Sequence, residues 1–398
     1  MNANISHLYE VAQKPVRHII GLMSGTSLDG LDVALCQISG QGQDTHVELL
    51  HFDTVVFSEV IKNEIRQVFA KQTVDFQHLT LLNAWVGRLH GEAVLQCLTK
   101  WNVPAAAVDA VASHGQTVFH APKILHGIDR FPNATLQIGD GDHVAVTTGI
   151  MTLSDFRQKH VAAGGEGAPL AVYGDYFIFS KAGQNRLMLN LGGIANFTYL
   201  PGSMDANAVF VTDTGPGNTL IDALARLHYN LPYDDAGRIA TSGRVNNALL
   251  EELKNDPFFD APFPKTTGPE LFGLPYVQQA QARSQTTDLP AADLMATITK
   301  FSADTIVEAL QKTLIDGQDY RVFMSGGGMH NPVLVGYLRQ ALPQFEFATT
   351  NELGIAGDAK EAVLFAILAN EALAGGGTNF GSRRGVPSVS MGKISFPN

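Results

Sequence analysis

The stretch from 19 to 33, IIGLMSGTSLDGLDV, breaks an aliphatic run with a short loop of hydroxyl residues and glycine, then resumes as an alternating strand. Such a hairpin loop can hold phosphate. Gly21, Gly25 and Gly30 permit close backbone approach, while Ser24, Thr26 and Ser27 offer hydroxyls and amides to phosphate oxygens. The same composition also suits a plain tight turn. Asp29 and Asp32 flank the loop. Hard cations take oxygen ligands, so Asp29 is a candidate to hold Mg²⁺ through water, with Asp32 read as a strand carboxylate at the surface.

Asp213 ends a β-branched strand expected over 209–212 and precedes the turn Asp213-Thr214-Gly215-Pro216-Gly217-Asn218. Open α/β sheets place ligand-facing side chains at this point, where a carboxylate can take a proton from water or a hydroxyl as general base. The competing role, capping the helix expected over 219–228, falls better to Asn218, which leaves Asp213 free. Strand, turn and helix N-terminus together also make an anion site.

Asp155 and Arg157 form another charged point, at the end of a strand over 151–154. The acid can bind a sugar hydroxyl or be the base itself, and Arg157 can meet phosphate or a carboxylate; an internal Asp/Arg pair is equally compatible. His114 and Gln116, in Ser113-His114-Gly115-Gln116-Thr117, are read as the end of a strand at a glycine turn, placed to orient a polar ligand or to serve as satisfied core groups. The spacing of His114 and His120 does not suit a metal. Ser325-Gly326-Gly327-Gly328, between a strand and a helix, offers a flat surface without Cβ atoms for the adenosine and α-phosphate end of a nucleotide, although glycine runs also make simple turns.

These points must be carried by a particular order of elements. Periodicity predicts strands at 17–24, 31–38 and 46–56, helices at 58–70 and 78–101, a strand at 110–112, a short strand at 136–139, a helix at 141–149 and the strand at 151–154. The polar, glycine-rich run 158–168 reads as a domain boundary. The theme then restarts: 186–200 is again strand, loop with Gly192 and Gly193, and strand, about 170 residues after the first copy. That spacing predicts a duplication, two α/β lobes whose glycine loops face one cleft. Helices follow at 245–254 and 291–315, separated by an irregular segment with Lys265-Thr266-Thr267-Gly268, then a strand at 320–324, a helix at 331–342 and a last helix opened by Gly357-Asp358-Ala359-Lys360-Glu361. The lobes are expected at 1–155 and 156–374, with 375–398 returning to the first.

At 398 residues and 45% hydrophobic content, the chain can build two cores. A formal charge of -11 with no Lys/Arg stripe argues against nucleic acid and for a small partner. Only Cys36 and Cys97 are present, as expected of buried thiols in a reducing compartment. The first residues lack a signal-peptide core and the apolar run 362–369 is too short to span a bilayer, so no membrane role and a cytoplasmic location are expected. No GxxxxGK[ST], GxGxxG after the first strand, HExxH or paired CxxC occurs. Any phosphate is therefore handled by hairpin loops and helix ends.

Together the segments resemble the sugar-kinase/Hsp70/actin superfamily. More closely, GLMSGTSLDGLD, SHGQT, LQIGD, DFRQKHVAAGGEGAPL, NLGGIANFT, DTGPGN, KTTG and GDAKEA resemble, in order, the signature blocks of the anhydro-N-acetylmuramic acid kinases. Pro269, where arginine is frequent in the family, and an N-terminal extension of about 17 residues depart from that pattern. The resemblance implies actin/hexokinase-like lobes and an ATP- and Mg²⁺-dependent enzyme of cell-wall recycling. Such an enzyme opens the 1,6-anhydro bridge with water and phosphorylates O6. On that basis Asp213 is the base, Glu361 a second active-site carboxylate, and Gly192 and Gly193 nucleotide contacts beside the first loop. Gly215 and Asn218 join His114, Gln116, Asp155 and Arg157 at the sugar. The family also implies a homodimer. The competing readings are a hexosamine kinase with Asp155 as base, and an actin- or chaperone-like ATPase.

Overall fold

The computed structural model describes residues 2–25, 28–168, 170–314, 318–375, 377–381 and 385–398. Thr26 and Ser27, both expected at phosphate, lie outside the described residues. Twelve strands run through the rest: β1 (Val16–Ser24), β2 (Gly30–Ser39), β3 (His46–Val56), β4 (Ala110–Ala121), β5 (Ala134–Ile138), β6 (Thr152–Ser154), β7 (Asn185–Leu191), β8 (Ile194–Leu200), β9 (Phe210–Pro216), β10 (Tyr320–Ser325), β11 (Glu346–Thr349) and β12 (Lys393–Ser395). The chain divides into two units, one joining 1–179 to 354–398 and the other spanning 180–353.

The first unit holds a seven-stranded sheet in the order β12-β6-β4-β1-β2-β3, with β5 on β4. β1 is buried along most of its length because both faces are covered. Leu22, Val33, Val111 and Val118 pack with Val86, Val94 and Leu98 of the helix Phe76–Trp101. On the other face lies the helix Lys360–Ala374, whose residues 362–371 are all buried. Each large aliphatic or aromatic side chain so buried stabilises by roughly 1.5–3 kcal/mol. The expected apolar run 362–369 is thus a core helix.

The second unit repeats the plan. Its sheet order is β11-β10-β7-β8-β9, with β7, β8 and β9 antiparallel and β10 and β11 parallel to β7. In the first unit β1, β2 and β3 are likewise antiparallel, and β4 and β6 follow in parallel. The two copies share one winding, as duplicated actin/hexokinase-like lobes require.

The boundaries differ from those read in the sequence. The division falls at 179/180 and 353/354, not near 155 and 374. The reason is packing: the helix Ala171–Phe179 lies on the helix Lys360–Ala374, where buried Asp175 pairs with Lys360 at 2.8 Å. The glycine-rich run read as the boundary lies within the first unit, where Gly167 donates its N–H to His160 Nδ1 at 3.0 Å and accepts from Arg157 at 2.6 Å. β12 pairs with β6, so the chain end lies in the first unit.

Two strands outrun their predicted ends. β4 continues through the block 113–117 to Ala121, because Gly115 takes a positive φ of 76° and β5 pairs with the far half. β9 continues through Asp213 to Pro216, with a register shift opposite Ala195 and Asn196. The N-terminal extension, in which no element is expected, forms the helix Ala3–Gln13, capped by the Asn2 side chain.

Candidate active site

Asp213 lies on β9, the edge strand of the second sheet. The irregular segment 265–267 takes up the strand's outer side: Asp213 N–H donates to Lys265 O at 2.9 Å, and Thr267 N–H donates to Asp213 Oδ2 at 2.8 Å. Among the described residues Oδ1 accepts no hydrogen bond, so one carboxylate oxygen is fixed and the other is free to take a proton. Burial pushes the Asp213 carboxyl up to about 6, against the pull of the Thr267 N–H, and the like charge of Glu270 adds to the rise. A carboxylate poised near neutrality suits a general base.

Three loops of the second unit meet past the C-terminal end of β9. Gly217 and Thr219 donate to Gly193 O, and Asn218 N–H to Gly192 O, at 2.8–3.1 Å. Gly326 has a φ of 82°, and a Cβ there would stand 2.7 Å from Asn190 Oδ1 and 2.9 Å from Leu191 O, so only glycine lets this turn close on the 191–193 loop. Gly192 is half-buried, and Gly193 and Gly327 are exposed.

Several expectations are corrected here. Asn218 does not cap the helix Thr219–Tyr229 with its side chain, which instead donates to Leu191 O at 3.0 Å and lies against Gly328. Three amides at the start of that helix are already bonded, which narrows the anion site read there. Gly215 is buried against Phe259 and Thr305.

In the first unit, Ser24 and Gln116 are buried and bonded to each other at 2.5 Å; Ser24 also reaches Gly30 O, and Gln116 reaches Gly25 O and Thr117 O. They brace the base of the first loop from within, rather than offering it side chains. Gly21 is not at the loop surface either. A Cβ there would come within 1.8 Å of Ala362 O, so this glycine seats the helix Lys360–Ala374 on β1. That seating places Glu361 in the first turn of the helix, exposed to water.

Arg157 Nε donates to His114 Nε2 at 2.8 Å, and its Nη1 to Gly167 O. With Nε2 accepting, the His114 ring carries its proton on Nδ1 and donates to Gly115 O at 2.8 Å. Burial, then the charge of Arg157, hold His114 well below the usual histidine range. His114 is therefore a buried, neutral orienter of Arg157. Among the described residues Arg157 Nη2 has no partner, and its charge acts on Glu361. Desolvation by the surrounding protein raises the Glu361 carboxyl, with Lys360 and Arg157 opposing and Asp32 and Asp175 adding.

Asp155 has a left-handed φ of 55° and pairs with Lys393 of β12 at 2.8 Å, not with Arg157. Asp29 is exposed beside the loop. Among the described residues no three metal-binding side chains converge; Asp29 supplies an oxygen donor of the kind a hard cation takes.

A family model described as anhydro-N-acetylmuramic acid kinase matches residues 17–396. The chain belongs to the anhydro-N-acetylmuramic acid kinase family. Proteins of that name from Pseudoalteromonas atlantica and Pseudoalteromonas translucida are 55% and 52% identical, each alignment covering 100% of both chains. One from Caldanaerobacter subterraneus is 38% identical over 98% of this chain and 100% of its own.

Within this chain, sequence reasoning missed the bracket around Asp213 and the pair Asp175–Lys360. The first carried a signal, since the KTTG block sits in an otherwise irregular segment. Asp175 carried none: a carboxylate within an apolar helix shows its partner only after folding. No described helix is long and apolar enough to cross a membrane.

Proposed function

We propose that this chain is an ATP-dependent kinase that opens 1,6-anhydro-N-acetylmuramic acid with water and phosphorylates O6, in peptidoglycan recycling. Asp213 takes a proton from water, and the water oxygen bonds to the anomeric carbon as the bond from that carbon to O6 breaks. The electron pair released on O6 attacks the γ-phosphorus, and the bond to the β–γ bridging oxygen breaks. The products are N-acetylmuramic acid 6-phosphate, ADP and a proton left on Asp213. The observation that supports this reading most is the Asp213 carboxylate, with one oxygen fixed by Thr267, the other free, and its pKa raised to about 6.

The loop from Gly25 through Thr26, Ser27 and Asp29 is assigned to the β- and γ-phosphates, and the turns at Gly192, Gly193 and Gly326 to Gly328 to the rest of the nucleotide. Mg²⁺, when bound, offsets the charge of the phosphates. Arg157 and Glu361 are assigned to the reacting sugar and phosphoryl end, with His114 orienting Arg157. Catalysis in this scheme is positioning and electrostatics. The protein is further proposed to be a cytoplasmic homodimer, which sedimentation of the purified chain checks.

The test is turnover of the anhydro-sugar with ATP and Mg²⁺ in ¹⁸O-labelled water, for the wild type and Asp213→Asn. Label at the anomeric carbon with phosphate on O6, both lost in the variant, is expected. Phosphorylation without label, or an active variant, points instead to an ordinary hexosamine kinase.

A further inference from the structure

Lys265 is an unusual buried lysine. It is 9% exposed, and among the described residues no carboxylate pairs with it. Its ammonium lies 4.2 Å from the centre of the Phe258 ring, 5.6 Å from that of Phe263 and 5.7 Å from that of Phe259. Nζ donates to Phe258 O at 2.7 Å and to Phe259 O at 3.3 Å, and Lys312 Nζ shares Phe259 O. Burying an ammonium is costly unless it is compensated, and an apolar residue would fill the same cage without that cost. Three ring faces and two carbonyls offset the cost here and hold the residue at a fixed point.

That point is where the chain brackets Asp213. Lys265 N–H donates to Thr212 Oγ1 at 3.1 Å, and Lys265 O accepts from Asp213 N–H at 2.9 Å. Two residues on, Thr267 N–H reaches the Asp213 carboxylate. The main chain around Lys265 therefore touches Asp213 at both its backbone and its side chain. Helices do not supply this support, because 261–268 is irregular and β9 has no strand on that side.

We propose that Lys265 is a positioning residue for the Asp213 base: its aromatic-caged ammonium anchors 265–267, so that the Thr267 amide stays on the carboxylate. The proposal rests on the reading of Asp213 as general base. Withdrawal of that amide removes a hydrogen bond to the charged form and leaves burial and Glu270 to act on it unopposed. The charged neighbours are Glu270 at Asp213, and Lys312, Asp260 and Glu308 at Lys265.

The experiment compares pH profiles of kcat/KM for the anhydro-sugar, at saturating ATP and Mg²⁺, in the wild type, Lys265→Met, Glu270→Gln and Asp213→Asn. Methionine fits the ring cage without a charge. Lys265→Met is expected to move the acid limb upward by about half a pH unit or more and to lower kcat on the order of tenfold, with the KM for sugar little changed. Glu270→Gln is expected to move the limb downward. An unmoved limb and unchanged kcat in a Lys265→Met protein that melts cooperatively overturn the proposal. Where Lys265→Met does not fold, Phe258→Leu keeps the lysine, weakens its cage and carries the same expectation in smaller degree. An active Asp213→Asn variant overturns the base reading itself, whereas an inactive one beside an unmoved Lys265→Met limb overturns the positioning role alone.

Discussion

At the scale of single residues, the burial of Asp213 costs stability once its carboxyl is ionised. Its folded pKa, about 6, lies above the ordinary 3.8, so between those values the folded state binds more protons than the unfolded one. Stability therefore falls as pH rises through that window, and above it the ionised carboxylate is a standing cost. Asparagine can still accept from Thr267 without that charge. We predict that Asp213→Asn raises stability at neutral pH by about 1 kcal/mol, read as a higher melting temperature, while turnover falls by on the order of 10²-fold or more. A lower melting temperature would contradict the account of its burial. The same shift predicts that wild-type kcat/KM declines as pH drops below about 6, as the base is protonated; a rate flat down to pH 4 would remove Asp213 from that role. His114 shows the opposite economy: kept neutral, it serves as an acceptor that aims a cation.

At the scale of elements, one contact sets the position of a whole helix. β1 and the helix Lys360–Ala374 approach so closely at Gly21 that a Cβ would stand 1.8 Å from a backbone oxygen. Backbone cannot yield as a side-chain tip can, so the helix must shift, and Glu361 at its start shifts with it. Gly21→Ala is predicted to cost roughly 1–3 kcal/mol or more of stability and to lower kcat. Melting and kinetics measured on the same preparation check this, and a fully stable, fully active variant would show that the helix is not held there. The edge strand β9 presents the converse case, held by β8 on one side and by irregular chain rather than a second strand on the other.

At the scale of the whole molecule, buried histidines set the acid limit. His90 is fully buried, neither ring nitrogen has a partner among the described residues, and burial lowers it from 6.5 to about 4; His160 is lowered to about 4 as well. An unfolded histidine takes a proton below 6.5 and the folded one does not until about 4, so stability present above pH 6.5 is lost as pH falls to 4. For His90 the loss is on the order of 3 kcal/mol. His90→Leu is predicted to flatten the dependence of unfolding free energy on pH between 6.5 and 4, and denaturant melts across that range measure it. An equally steep dependence in the variant would place the acid sensitivity elsewhere, for example at His160 or His114.

Much of this protein was legible in its sequence because the signals are local. Aliphatic alternation interrupted by glycine marked both hairpins, the repeat about 170 residues apart marked the duplication, and strand-to-turn placement marked Asp213. Ordered blocks pointed to the family. What the sequence could not carry were relations between segments distant along the chain. Only packing showed that 158–168 is tied to the first sheet by Arg157 and Gln158, that Gly21 faces a helix more than 330 residues away, and that Asn218 turns to Leu191 instead of capping. Read locally, the first was a domain boundary, the second a loop residue and the third a cap. Local preference reports what a backbone can do, whereas the partner of a buried polar group is set by which segments burial brings together, and that was decided by the tertiary structure.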